Sequence, residues 1–208
     1  MHSQIFSTNR ICTGLFAALI AATPMSADED PPNESMTSIG ISVVDPQGGL
    51  DDRSGTGFAA SLSWEWVLKK KHGLRATLEY AKFSDKKYYD HPHDPGVAIK
   101  EYDGSANSRL AMLDYIYRFV SHYKGLYISL GTGYGYTSVK PDSDGWGQSI
   151  SGDGFCLSAG VGYNFTKNFG LDVSAIQATT YNPSGTGLSI YCWYQVSLKY
   201  RFSMQDDK

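Results

Sequence analysis

Alternation of apolar residues with small or polar ones is the dominant pattern along the chain, and it recurs eight times. In the clearest stretch, from Leu188 to Phe202, every second residue is apolar or aromatic, and Ser189, Gln195 and Lys199 lie between them. A period of two places successive side chains on opposite faces of a strand. The pattern therefore predicts eight strands, over about residues 36–44, 56–68, 74–83, 108–120, 126–138, 154–165, 170–179 and 188–202.

The breaks between these strands alternate in length. Short breaks fall at 69–73, 121–125 and 166–169, and mostly longer ones, rich in Asp, Gly, Pro and Ser, at 45–55, 84–107, 139–153 and 180–187. An even strand number with short turns at one end is typical of bacterial outer-membrane barrels. Hydrocarbon offers no hydrogen-bond partners, so a sheet that spans it has to close on itself. We therefore predict an all-β fold, an eight-stranded antiparallel up-and-down transmembrane β-barrel.

The two faces of the predicted strands differ in charge. One face is apolar and carries only Lys82 and Arg109 as charges. The other is mainly Gly and Ser, whereas the water-facing side of a soluble lipocalin-like barrel would carry many long charged side chains. Small residues and matched ions suit the cramped interior of an eight-stranded barrel. The predicted interior charge network consists of Glu65, Arg75, Glu79, Asp114, Arg118, Asp172, Lys199 and Arg201.

Strand directions and parity also predict which of these groups meet. Glu65 is expected to face Arg75 near the first short turn, and Asp172 to face Lys199 or Arg201 at the same end. On the apolar face, aromatic residues concentrate where the short turns begin, as in the aromatic girdle of a membrane barrel. These predicted membrane-interface residues are Trp64, Trp66, Tyr117, Phe119, Tyr163, Phe165, Tyr200 and Phe202.

The first 27 residues have the composition of a secretory signal peptide. They contain no acidic residue, and an apolar run from Ile11 to Ala22 precedes small residues ending at Ala27. We predict a signal peptide at 1–27, a short acidic linker at 28–35, the barrel at 36–202 and a polar tail at 203–208. The mature protein is then expected in the cell outer membrane.

Charge and hydropathy exclude two other classes of protein. The formal net charge is -3 and the sequence pI about 5.9, with no basic stripe, so nucleic-acid binding is not expected. No long apolar run follows the first thirty residues, which excludes helical membrane spans. We expect a monomer.

Three segments resemble a known family. They are the run YISLGTGYGY from Tyr127 to Tyr136, the segment AGVGYNFTKNFGLDV from Ala159 to Val173, and the final YQVSLKYRF, which ends on Phe202. Together they resemble the small outer-membrane barrels of the OmpA and OmpX type. The resemblance implies contact with outer-membrane lipid and lipopolysaccharide, and insertion by the barrel-assembly machinery, with Leu198, Tyr200 and Phe202 as the assembly signal. Unlike the usual pattern, six residues follow the final aromatic.

Residues that could carry catalysis are sparse. His72 and His122 fall in predicted short turns and His91 and His93 in a long loop, so no His lies two residues from a Ser on a strand, as a lipid A deacylase would require. We predict no catalysis. A lipid A-modifying acyl hydrolase or transferase is the weaker alternative, for which the loops supply the residue types His, Asp and Ser in composition only.

Metal binding and disulfide formation are not expected either. Asp90, His91, His93 and Asp94 could ligate zinc or copper, but a solvated, Pro-kinked loop is the preferred interpretation. No cofactor and no metal are predicted. Cys156 and Cys192 lie two strands apart on opposite faces, and we predict that they form no disulfide with each other.

These features place function in the long loops. We predict a structural or surface-interaction role, adhesin-like, with an extracellular partner at loops 84–107 and 139–153. The alternative is a narrow porin-like channel for small solutes.

Overall fold

The computed structural model describes residues 35–51, 54–69, 71–90, 100–120, 124–142, 150–181 and 188–204. The predicted signal peptide, residues 28–34 of the predicted linker and residues 205–208 of the predicted tail lie outside these ranges. In the part of the chain that is described, no helix is long and apolar enough to cross a membrane.

Eight antiparallel strands close into a barrel in sequence order, which confirms the predicted fold. Each strand pairs with its neighbours along the chain, and β1 pairs with β8, so the sheet has no open side. A single turn of 3-10 helix, Gly48–Leu50, follows β1. The strands are β1 Ser35–Gln47, β2 Ser54–Lys69, β3 His72–Asp90, β4 Lys100–Arg118, β5 Gly125–Asp142, β6 Ile150–Asn164, β7 Phe169–Tyr181 and β8 Leu188–Met204.

The register fixes the stagger of the barrel. Following directly paired residues once around the sheet leads from Met36 back to β1 at Pro46, ten residues further along. Eight strands with this stagger are strongly tilted and enclose a lumen just wide enough to be filled by side chains. The lumen therefore has to be packed like a protein core.

The two faces of the sheet carry different residues. Apolar side chains point outward, and the most exposed are Ile41, Phe58 and Phe155, at 68%, 72% and 70%. Small and polar side chains point inward, among them Ser38, Ser63 and all eight residues of the predicted interior charge network. The outward surface has the apolar character that contact with lipid requires.

Glycine permits close approach of neighbouring strands at two positions of the sheet. A Cβ added at Gly133 of β5 would collide with the backbone carbonyl oxygen of Ala111 on β4, and one at Gly57 of β2 with that of Lys82 on β3. Contact with a neighbouring backbone is one of the few reasons for glycine within a strand.

The strands extend further at the long-loop end than the alternation predicts. The predicted loop 84–107 was too long, because β3 continues to Asp90 and β4 begins at Lys100. Its two sides form a hairpin in which Lys86 pairs with Gly104 and Asp90 with Lys100. Backbone pairing continues here without an alternating apolar face, so a period-two search could not detect it.

The closed sheet predicts heat-modifiable migration in electrophoresis. Since every strand is hydrogen-bonded on both sides, no edge offers a place where unfolding could begin. Unheated protein extracted in mild detergent should therefore stay folded in SDS and migrate differently from the same sample after boiling. Identical mobility of heated and unheated samples would contradict a stable closed barrel.

Candidate functional site

A cluster of ion pairs fills the half of the lumen nearest the short turns. Asp172 of β7 lies at its centre, paired with Lys199 of β8 and with Arg75 of β3, whose Nη1 lies 3.3 Å from Asp172 Oδ2. Arg75 also reaches Asp114 of β4, with 3.4 Å between Nε and Oδ2. These contacts join four strands across the interior of the barrel.

Neutral donors complete the environment of the two aspartates. Tyr127 of β5 donates its hydroxyl proton to Asp172, and Ser158 Oγ of β6 donates to Asp114 Oδ1 at 2.6 Å. Removing two carboxylates from water is costly unless several partners replace the lost hydration. Asp172 has such partners from three strands and Asp114 from two, which explains how the cluster can be buried.

A second set of contacts lies at the same end. Arg118 of β4 forms an ion pair with Glu65 of β2, and Arg201 of β8 donates to the side-chain oxygen of Asn164 on β6. The guanidinium of Arg201 also lies 6.0 Å from the centre of the Tyr127 ring. Such a cation above an aromatic face is attracted by the ring quadrupole.

One of the two expected contacts between interior charges is replaced by other ion pairs in the structure. Glu65 and Arg75 are directly opposite in the register of β2 and β3, but the Glu65 carboxylate binds Arg118 while Arg75 turns to the two aspartates. Asp172 contacts Lys199, one of the two partners expected for it. Parity identified the inward face, whereas side-chain reach across the lumen decided the partners.

Glu79 of β3 marks the limit of the ionic cluster. Its Oε2 accepts a hydrogen bond from Gln195 Nε2 of β8 at 3.2 Å. Among the described residues, Glu79 forms no ion pair, whereas the other acidic residues of the predicted network each form at least one. These are Glu65, Asp114 and Asp172. Two residues further along β3, the lining becomes apolar with Ala81 and then Phe83.

The half of the lumen nearest the long loops is filled by apolar side chains. Trp193 and Phe83 are fully buried, and their rings meet edge to face with 5.7 Å between centroids. The sequence analysis assigned the inward face as polar and missed this layer. The sequence did contain a signal for this layer, because bulky apolar residues such as Trp193 and Phe83 occupy inward positions of faces that are otherwise small or polar. The buried cluster consists of Val44, Leu50, Ala59, Ala81, Phe83, Ala106, Leu110, Met112, Val139, Cys156, Ile176, Ala178, Tyr191 and Trp193.

The first long loop contributes to the apolar layer. Leu50, in the 3-10 turn after β1, is fully buried, and its carbonyl oxygen accepts a hydrogen bond from Ser54 Oγ at 2.9 Å. Lys86 of β3 holds the same turn from outside, through an ion pair of 2.7 Å with Asp51. The turn therefore closes over the long-loop end of the packed lumen.

The predicted membrane-interface aromatics lie on the outer face near the short turns. Trp64, Trp66, Phe165 and Phe202 are all exposed. Three strand ends carry edge-to-face pairs of rings, with centroid distances of 5.5, 5.3 and 4.7 Å in Tyr117–Phe119, Tyr163–Phe165 and Tyr200–Phe202. Leu198, Tyr200 and Phe202, the predicted assembly signal, share this outer face on β8.

The histidines need one correction. The prediction that all four lie off the strands was wrong for His72, which is the first residue of β3 and whose Nδ1 is in hydrogen-bond contact with the Tyr115 hydroxyl. The strand extends to His72 because it pairs with Tyr117 of β4. His91, His93, Asp94 and His122 lie outside the described residues, as does the side chain of Asp90.

Within the described ranges, the structure shows neither a metal-binding cluster nor a disulfide. There, no group of three or more His, Cys, Asp or Glu side chains could hold a metal ion. Cys156 is buried in the lumen and Cys192 lies on the other face of β8, and these two described cysteines form no disulfide, as predicted.

The chain belongs to the outer membrane protein beta-barrel domain family, whose model matches residues 13–202, and this confirms the family that the sequence resembles. A search of curated proteins found no match. Among solved structures, Ail, the attachment invasion locus protein of Yersinia pestis, crystallised with the heparin analogue sucrose octasulfate, is 16% identical. Its TM-score is 0.53, and the match covers 83% of this chain and 100% of Ail.

Two further solved structures are similar at lower scores. The N-terminal β-barrel domain of Pseudomonas aeruginosa OprF is 15% identical with a TM-score of 0.49, covering 82% of this chain and 100% of that domain. Neisserial surface protein A is 18% identical with a TM-score of 0.45, covering 80% of this chain and 95% of its own. At these identities the likeness concerns the fold alone.

The ion cluster predicts a large difference between buried and exposed carboxylates. Asp172→Asn should lower the free energy of unfolding by about 3–5 kcal/mol, because Arg75 and Lys199 would remain buried without their shared anion. Asp51→Asn removes the acid of an ion pair whose side chains are 54% and 42% exposed, and should cost less than about 1 kcal/mol.

Both variants can be unfolded in urea in the presence of lipid vesicles, with tryptophan fluorescence as the signal. Equal losses for Asp172→Asn and Asp51→Asn would contradict a structural role for the ion cluster.

Proposed function

We propose that the protein is exported through a cleaved signal peptide at residues 1–27 and resides in the cell outer membrane as a monomer. There it has a structural or surface-interaction role, adhesin-like, that its extracellular loops carry without catalysis. The observation that carries this proposal is the continuation of β3, β4 and β5 beyond the packed lumen. Insertion would use the barrel-assembly machinery, which reads Leu198, Tyr200 and Phe202 on the outer face of β8.

The extended strands give the long loops a rigid base. β3 and β4 stay paired as far as Asp90 and Lys100, and β4 and β5 as far as Asp103 and Asp142. The paired strand ends that lead into the segments 91–99 and 143–149 therefore lie at the same end of the barrel. A loop on an ordered scaffold loses less conformational entropy when it binds than a free loop of equal length.

Charge suggests what such a surface would attract. In loops 45–55, 84–107 and 139–153, acidic residues number three, five and three, against one, three and one basic residues, so acids exceed bases by 11 to 5. The short turns have the opposite character, with five lysines and no acid in 69–73, 121–125 and 166–169. A polyanion such as the heparin analogue bound by Ail would be repelled by these loops, and a cationic partner favoured.

Trimming the hairpin tests the surface role. We expect that replacing residues 87–103 by a two-residue turn lowers the adhesion of expressing cells to polylysine-coated surfaces, because four of the eleven loop acids and two of the five loop bases are lost, a net loss of two negative charges from an excess of six. Adhesion of the wild type should also fall as salt is raised. The measurement is the number of cells retained after washing, at equal amounts of heat-modifiable protein.

The loop 182–187 offers a matched control, because it contains no charged residue. Replacing it by a short turn should leave adhesion unchanged. If trimming 87–103 had no more effect than trimming 182–187, the surface role of the projecting hairpin would be wrong.

The porin-like alternative conflicts with the packing of the lumen. Ion pairs occupy one half, and buried side chains such as Trp193, Phe83 and Leu50 occupy the other. Passage of a hydrated ion would require both layers to open. The lumen therefore supports a barrel without a permanent aqueous path.

This argument predicts that the purified protein gives no persistent single-channel steps in planar bilayers. A porin of about 16 strands, which leaves an aqueous channel, serves as the positive control in the same bilayers. Reproducible steps from the heat-modifiable protein would favour the channel over the surface role.

A further inference from the structure

We propose that the middle of the lumen holds a proton-binding site, in which the Glu79 side chain of β3 is a neutral carboxylic acid paired with the Gln195 amide of β8. Both residues are buried, with 6% and 7% of their surface exposed. The site lies inside the barrel, between the ionic cluster and the apolar layer. It therefore goes beyond the proposed surface role and does not depend on the loops.

The contact between Glu79 and Gln195 leaves two buried oxygens unsatisfied. Glu79 Oε2 accepts a hydrogen bond from Gln195 Nε2 at 3.2 Å. The other oxygen of each group, Glu79 Oε1 and Gln195 Oε1, has no hydrogen-bond partner among the described residues. When Glu79 is ionised both of these atoms are acceptors, so neither can satisfy the other. Unsatisfied buried acceptors are costly, and two of them on one contacting pair require a donor between them.

A single proton on Glu79 Oε1 supplies that donor. A protonated carboxyl has an O–H donor beside a carbonyl acceptor, and a primary amide has a carbonyl acceptor beside N–H donors. Side by side, the two groups can form two parallel hydrogen bonds, from Gln195 Nε2 to Glu79 Oε2 and from Glu79 Oε1 to Gln195 Oε1. The first of these is the observed contact. The proton comes from solvent, and no other bond forms or breaks.

The nearest interior cations are already paired with other acids. Arg75, on the same strand as Glu79, contacts Asp114 and Asp172. Lys199 of β8 contacts Asp172. Two bases and two acids therefore balance in this cluster without Glu79.

The other two interior bases lie toward the short turns. Arg118 forms an ion pair with Glu65. Arg201 lies six residues from Gln195 along β8, which is about 20 Å at roughly 3.3 Å per residue. An ionised Glu79 would thus be a buried anion without a cation of its own. Such a group binds a proton and becomes neutral instead.

The remaining neighbours of Glu79 supply no positive charge. Ser61 of β2 and Leu110 of β4 are its directly paired residues. Ala81 follows it on the inward face of β3. The titratable group of β6 within electrostatic reach is the Cys156 thiol, which is neutral or negative in any state. A hydroxyl, a thiol and apolar groups cannot neutralise a buried carboxylate.

The proton gives the lumen a layer that is polar but carries no charge. The acid–amide pair connects β3 to β8 across the interior, between the ions and the buried rings of Phe83 and Trp193. Loss of the proton would place an unpaired anion beside the apolar layer. The stability of the barrel is therefore linked to pH through Glu79.

Infrared spectroscopy of the protein in lipid vesicles at neutral pH tests the protonation directly, because a carboxylic acid and a carboxylate absorb at different frequencies. We expect the wild type to show a carboxylic-acid C=O band that Glu79→Gln lacks. Glu65→Gln is the matched control and should keep the band, since Glu65 is also 6% exposed but is paired with Arg118. Spectra of wild type and Glu79→Gln without this difference would overturn the proposal and indicate an ionised Glu79.

Urea unfolding in vesicles at several pH values gives a second measurement. A glutamate in the unfolded chain is ionised above about pH 5, so folding takes up a proton there and raising the pH favours unfolding. The unfolding equilibrium constant of the wild type, relative to that of Glu79→Gln, should rise up to about tenfold per pH unit until the folded protein also loses the proton. A constant ratio over this range would contradict the proposal.

Should Glu79→Gln fail to fold, Gln195→Leu provides another test. This variant removes both hydrogen-bonding groups of the amide, so the carboxylic-acid band should move to higher frequency as the acid loses its partner. A band at the wild-type frequency would show that Glu79 is not paired with Gln195. The variant trimmed at 87–103 should keep the wild-type band, which separates this site from the projecting hairpin.

Discussion

The absence of hydrogen-bond partners in hydrocarbon governs this structure. It requires the sheet to close, and β1 does so by pairing with β8 along its whole length. Closure with eight strands and a stagger of ten residues leaves a lumen too narrow for bulk water. Every inward side chain then has to find its partners within the barrel, and the interior charges and glycines follow from that requirement.

The lumen meets this requirement by separating its contents into two layers. If the interior ions were distributed along the axis, each would have at most one or two partners. Gathered near the short turns, Asp172 contacts Arg75, Lys199 and Tyr127 together. The remaining length can then be packed with Trp193, Phe83 and other apolar groups as an ordinary core. The same separation supports the proposed barrel without a permanent aqueous path, since neither layer, among the described residues, offers a polar path through the other.

The sequence predicted correctly those features that depend on one strand at a time. Alternation identified the eight strands and their inward faces, because lipid on one side and a crowded lumen on the other constrain every second residue. It could not identify Arg118 as the partner of Glu65, which depends on side-chain reach between β2 and β4, two strands apart. It also missed Leu50, since burial of a loop residue depends on how the first long loop folds over the lumen.

The extent of β3 and β4 was missed for a related reason. Above the apolar band, water satisfies any unpaired backbone group, so the sequence no longer has to alternate, although pairing still extends to Asp90 and Lys100. Since the lumen is filled and the middle of the wall has to remain apolar, polar recognition is confined to the projecting strands and to the two boundaries of the membrane.

The boundary at the long-loop end carries both signs of charge in separate places. The acidic excess belongs to the sequence of the loops, whereas Lys82 and Arg109 lie exposed on the outer wall of β3 and β4. The acidic excess in the sequence of the loops supports the proposed preference for a partner of opposite charge.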